Sequence, residues 1–193
     1  MRVGFIGVTT PSTPGFLLER HAARFRFTDI SEAVNRSVPA LRQQGVRAIV
    51  VLAHAGGPSQ DESAAPDFVG EIVEEARQMN SEVDAGIAGH SHSRLDIHVP
   101  NADGTGDKLI VEALSYGIAY DLVDLTIDRR SGDVVAKAGS VLATPHDLAG
   151  DAAVAALVER YRSRVARVAT RVLGYTDAGL TRTGGERPGR GRR

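Results

Sequence analysis

The chain contains no cysteine. That excludes disulfides, zinc ribbons and thiol nucleophiles, but it does not fix the compartment, because exported bacterial proteins often lack cysteine as well. No apolar run approaches the roughly 20 residues that span a bilayer. The opening MRVGFIGVTTPSTPG has too short an apolar run for a signal peptide and no proper cleavage site after it. Charge of one sign is also missing. The formal net charge is -1, and so balanced a chain gives no sign of a nucleic-acid partner. The arginines of GGERPGRGRR, 184–193, read as a solvated end rather than a nucleic-acid arm. What is present is ordinary for a soluble globular chain: 42% hydrophobic and 24% charged residues over 193 positions, enough to bury a substantial core.

Hydrophobic periodicity predicts strand and helix in alternation through the first half. Arg2–Val8 (RVGFIGV) predicts a strand buried on both faces. Thr9–Gly15 predicts a loop, with Pro11 and Pro14. Asp29–Gln44 predicts a helix capped by Asp29 or Ser31, stopped at Gly45, with a kink at Pro39. Arg47–Ala53 predicts a second buried strand, Pro66–Met79 a second helix, and Val83–Ala88 a third strand. Such alternation points to an α/β layer with parallel strands. Beyond residue 95 the pattern changes. Leu95–Val99, Lys108–Leu114, Tyr120–Asp128 and Val134–Ala143 predict antiparallel strands joined by turns such as NADGTG, 101–106. Asp151–Leu173 predicts a long amphipathic helix. The tail 184–193 has the composition of a disordered segment.

Two of the predicted parallel strands end in histidine. One runs into His54-Ala55-Gly56-Gly57, the other into Gly89-His90-Ser91-His92. Loops at such strand ends converge in a crevice. If the two strands are neighbours, three imidazoles meet, a donor set suited to zinc, iron, manganese or nickel. The expectation is that Gly89, Gly56 and Gly57 let the backbone bend sharply and approach the ion. Asp84 and Asp96 flank the motif, either as carboxylates that orient the imidazoles or in turns. His21, His98 and His146 lack such surroundings and read as surface or structural residues.

RVGFIGVTTPSTP, VVLAHAGG, VDAGIAGHSHSRLD and LIVEALSYGIAYDLVDLTID, in that order and spacing, resemble the 5′-nucleotidase branch of the calcineurin-like metallophosphoesterases over residues 1–180. The resemblance implies a four-layer α/β/β/α sandwich, here in part only, followed by the long C-terminal helix. It divides the chain into 1–150, the later part of a catalytic domain, 151–180, a linker helix toward a second domain, and a tail at 181–193. It implies hydrolysis of nucleotides or other phosphate monoesters with two divalent ions (zinc, manganese, iron, cobalt or calcium). Ions about 3.5–4 Å apart clamp the phosphate between them. Carried over by position, His54 and His90 look like ligands of one ion and His92 of the other. The Ser115-Tyr116-Gly117 turn looks like a loop beside the site. Family members are usually exported or held at the cell surface.

The same family has three earlier ligand blocks, an aspartate-x-histidine, a glycine-aspartate with a bridging carboxylate, and a glycine-asparagine-histidine-glutamate. None occurs in this sequence. The expectation is a truncated or split form whose missing ligands come from a complementary N-terminal chain. With 5% aromatic residues there is no evident platform for a nucleobase. Half a sandwich would also leave a sheet face or edge exposed. A non-catalytic metal-binding or interaction module is the alternative. A lone zinc site on the three histidines would need a general base, for which Asp84 and Glu112 are the nearest acids.

Overall fold

Apolar β-branched runs separated by two amphipathic helices build one mixed sheet, seen in a computed structural model that describes residues 1–57, 70–177 and 179. Its strands are β1 (Val3–Thr9), β2 (Ala48–His54), β3 (Ala85–Ile87), β4 (Arg94–Pro100) and β5 (Asp107–Ala113). They lie in the order β1-β2-β3-β5-β4. The first four in that order are parallel, and β4 alone runs against β5. The sequence expectation of an antiparallel β5 is therefore half right. Its hairpin partner β4 is antiparallel, but β5 itself extends the parallel ladder through β3 and buries nearly every residue.

Helices α1 (Glu19–Ala22), α2 (Ile30–Gln43) and α3 (Glu71–Gln78) precede or connect these strands. The predicted loop after β1 contains a 3-10 turn at Thr13–Phe16, and α1 had no periodic signal long enough to find. Pro39 lies inside α2 without ending it. The start expected for α3, Pro66, falls outside the described residues. Ile30, Val34 and Val38 of α2, with Ile72, Val73 and Ala76 of α3, pack on Ile49, Val51 and Ile110 of the sheet. On the opposite face Val50, Ala85, Leu109 and Val111 meet Val123 and Leu125. Those two belong to a separate antiparallel ribbon of β6 (Ala119–Ile127) and β7 (Val134–Ala143). The layers are thus helix, sheet, ribbon, a partial α/β/β/α sandwich.

The ribbon leaves the β1 end of that face open. β1 buries alternate residues only, not both faces. Phe5 is 61% exposed and Leu52 43%, and β1 lies at the sheet edge among the described residues. An apolar face beside an unpaired edge is a template for association. Phe5→Lys should therefore shift the protein toward monomer in sedimentation velocity at fixed concentration. Its stability should change by no more than about 0.5 kcal/mol, because the ring contributes little to the core.

The described residues fall into two compact units, divided between Pro145 and His146. In the second, Asp151 caps α4 (Ala152–Ala169) by accepting from Ala153 N–H and Val154 N–H at 2.8 and 2.9 Å. No described helix is long and apolar enough to cross a membrane. The tail expected over 181–193 lies outside the described residues.

Candidate metal centre

β2 and β3 are neighbours, so the loops that follow them emerge side by side. His54, the last residue of β2, and His90, three residues past β3, meet directly. Nδ1 of His90 lies 3.1 Å from Nε2 of His54, and the rings are edge-on with centroids 4.9 Å apart. Two nitrogens on one tetrahedral zinc, each bonded at 2.0–2.1 Å, sit about 3.3 Å apart. The pair therefore fits two positions on one divalent ion. His92, in the same loop, has its ring 6.0 Å from that of Tyr116. No cluster of three or more His, Asp or Glu side chains suited to a metal is gathered among the described residues. The structure brings together two of the three expected ligands and keeps the third apart.

Beside the pair an open groove of about 600 Å³ runs from Gly7 and Thr9 across Leu52 and His54 to Ile87 and Gly89. Thr10 N–H donates to the His54 carbonyl at 2.9 Å, tying the β1 loop to the site. Phe16, from the 3-10 turn, lies edge-on to His90 at 5.5 Å. Nothing in the sequence signalled that contact.

The glycines act differently from the expectation. Gly56, Gly57 and Gly89 lie outside the left-handed region, and in these two loops the left-handed residues are the histidines, His90 at φ 84° and His92 at φ 60°, with Leu114 and Tyr116 left-handed after β5. Non-glycine residues held there cost on the order of 1–3 kcal/mol each and cluster where function demands the geometry. His92→Gly should accordingly raise the metal-free unfolding free energy by about 1 kcal/mol, read from urea denaturation. A loss of stability would show that His92 is held by contacts worth more than its strain.

No protein-family model matches the chain. Endonuclease YhcR of Bacillus subtilis (strain 168) is 32% identical over 173 residues, which are 89% of this chain and 13% of that protein. The crystal structure of a 5′-nucleotidase precursor from Thermus thermophilus superposes with a TM-score of 0.66 at 27% identity, over 89% of this chain and 33% of that one. The calcineurin-like phosphoesterase YfkN from Bacillus subtilis shares the fold with a TM-score of 0.63 at 21% identity, over 88% of this chain and 53% of that one. This chain is related to the 5′-nucleotidases and calcineurin-like phosphoesterases. It spans between 13% and 53% of the length of these three relatives.

In this phosphoesterase relative neither proposed general base is placed for that role. Asp84 precedes β3, at the far end of the sheet, where it accepts from Ile49 N–H at 2.8 Å. Burial pushes its carboxyl above the usual range against that hydrogen bond. Glu112 on β5 is 1% exposed. Its oxygens are taken by Gly57 N–H, Ser93 N–H and the Ser91 hydroxyl. Asp96 lies on an exposed strand position, and His98 pairs with Asp107 at 3.1 Å, away from the site.

Asp121 of β6 is the group whose titration stands out. Oδ1 is buried without a hydrogen-bond partner. Desolvation first, then the charges of Glu112 and Asp96, push its carboxyl up from 3.8 to about 6. Between those values the folded state binds more protons than the unfolded chain, so stability falls as pH rises through that window and stays reduced above it. Asp121→Asn should be more stable than the parent at pH 7.5 by about 1 kcal/mol, the value left after solvent screening at a partly buried site. At pH 3.5 the gain should vanish. Urea denaturation at both values checks this.

Proposed function

We propose that the chain carries the later part of a two-metal phosphoesterase site acting on nucleotides or other phosphate monoesters. In this reading His54 and His90 hold one divalent ion and His92 a second. The supporting observation is the 3.1 Å imidazole pair at the ends of adjacent parallel strands, in a chain related to 5′-nucleotidases. Divalent ions, when bound, supply the positive charge that polarises a phosphoryl group. The chain's own contribution is to hold two imidazoles at ligand spacing and to keep an open groove beside them for the phosphate ester. The further donors come from a complementary polypeptide segment bearing the family's earlier blocks, set against the open face and edge of β1.

The chain alone with manganese should hydrolyse AMP or p-nitrophenyl phosphate no faster than buffer. Adding a polypeptide with the earlier blocks should produce turnover, and His90→Ala should abolish it. Robust turnover by the chain alone, lost in His90→Ala, overturns the divided site. If no zinc or manganese binds to the chain, alone or mixed, the metal reading itself fails.

A further inference from the structure

A single buried carboxylate joins both histidine loops. Glu112 Oε2 accepts from Gly57 N–H at 2.9 Å, in the loop that leaves His54. Oε1 accepts from Ser93 N–H at 3.0 Å, just past His92. The Ser91 hydroxyl, between His90 and His92, donates to the same carboxylate at 3.0–3.1 Å and lies 2.7 Å from the Ser93 hydroxyl. Glu112 is 1% exposed and sits on β5, which pairs with β3. It is therefore anchored in the sheet core rather than in either loop. Hydrogen bonds to an ionised acceptor are roughly twice as strong as neutral ones, and loss of a buried acceptor strands the donors that faced it.

We infer that Glu112 is a positioning residue that sets the His54–His90 spacing, and thereby the affinity of the site for a divalent cation, by locking the Gly57 and Ser91–Ser93 backbones to the sheet. The metal half of this inference rests on the function proposed above, while the spacing of the imidazoles does not. Left-handed backbone at His90 and His92 needs an external restraint, because such conformations persist only where their surroundings over-determine them. The Glu112 carboxylate supplies that restraint on both sides of the pair.

The test uses the full 193-residue chain with zinc alone as probe. Glu112→Leu removes every acceptor. Glu112→Gln keeps one oxygen and a polar partner for Ser91, and Ser91→Ala removes one hydrogen bond while the carboxylate stays. Zinc affinity by calorimetry should fall about 10–100-fold in Glu112→Leu, the range typical of residues that orient metal ligands. It should recover partly in Glu112→Gln, with Ser91→Ala closer to the parent. In the metal-free protein, histidine ring nitrogen shifts should report the His54–His90 hydrogen bond in the parent and its loss in Glu112→Leu, with His98 unmoved. If Glu112→Leu does not fold, the weakened pair in Glu112→Gln and Ser91→Ala carries the same result. An intact imidazole pair in both of those variants overturns the inference. A parent that binds no zinc overturns the metal reading instead, and the ring shifts then decide the role of Glu112 by themselves.

Discussion

Gly56→Ala should destabilise the protein by about 3 kcal/mol, the upper end of what overpacking a filled interior costs, and should weaken zinc binding in the same variant. A Cβ on Gly56 would lie 2.2 Å from Ser91 Oγ, 2.3 Å from its Cβ and 2.6 Å from its backbone nitrogen. Rotating the serine does not relieve this, because its hydroxyl is held by Glu112 and the backbone nitrogen moves only with the loop. That loop carries His90 and His92 on either side of Ser91, so the clash is transmitted to the imidazoles. Gly57→Ala meets Leu95 Cδ1 at 2.4 Å instead, which strains the core without displacing the histidine loop directly. Gly89→Ala is the control. The nearest atom to its new methyl is His54 Nδ1 at 4.0 Å, and its stability should stay within about 0.5 kcal/mol of the parent. Urea denaturation and zinc calorimetry on the three variants separate these outcomes. Equal effects at Gly56 and Gly89 would show that the loop adjusts and that close packing is not what fixes it.

The contrast among the glycines shows how far the sequence could be read. Strand-ending histidines, one helix apart, were enough to place two imidazoles together, because parallel neighbours put their C-terminal loops on one edge. The conformation of those loops was not legible. Glycine beside histidine suggests that glycine supplies the bend, yet the bend falls on His90 and His92, and Gly56 and Gly57, unlike Gly89, are small for the sake of contact. That depends on distances across the site, which local composition does not encode. The role of Glu112 was equally hidden, since the sequence offered it only as an acid for a general base. Its burial comes from the Gly57 and Ser91–Ser93 loops closing on its carboxylate, which the local sequence VEAL does not encode. β1 was misjudged for the complementary reason. RVGFIGV has the apolar content of a strand covered on both faces, but Phe5 is left largely exposed.

β5 makes a second large prediction. Lys108 and Glu112 lie on one face of β5, four residues apart under the two-residue period of a strand, and both are at most 1% exposed. Lys108 donates from Nζ to Asn101 Oδ1 at 2.5 Å. Asn101 in turn shapes the β4–β5 turn, its N–H donating to the Gly106 carbonyl at 2.9 Å. Burial pushes the Lys108 amine below its ordinary 10.5. The unfolded chain then holds this proton more tightly than the folded one, so stability rises with pH through the interval below that value. Asn101→Ala strands the ammonium and should cost about 3 kcal/mol, the lower end for a buried charge that loses its partner. Lys108→Met keeps the length of the side chain without the charge and should be neutral or stabilising by about 1 kcal/mol. The double variant should regain most of the Asn101→Ala loss. Because this pair sits at the far end of β5 from the histidines, zinc affinity should stay within twofold in all three variants once each is folded. Weakened zinc binding in Asn101→Ala at temperatures well below its transition would mean that the two ends of β5 are coupled. The histidine spacing would then depend on the register of the whole strand, not on Glu112 locally.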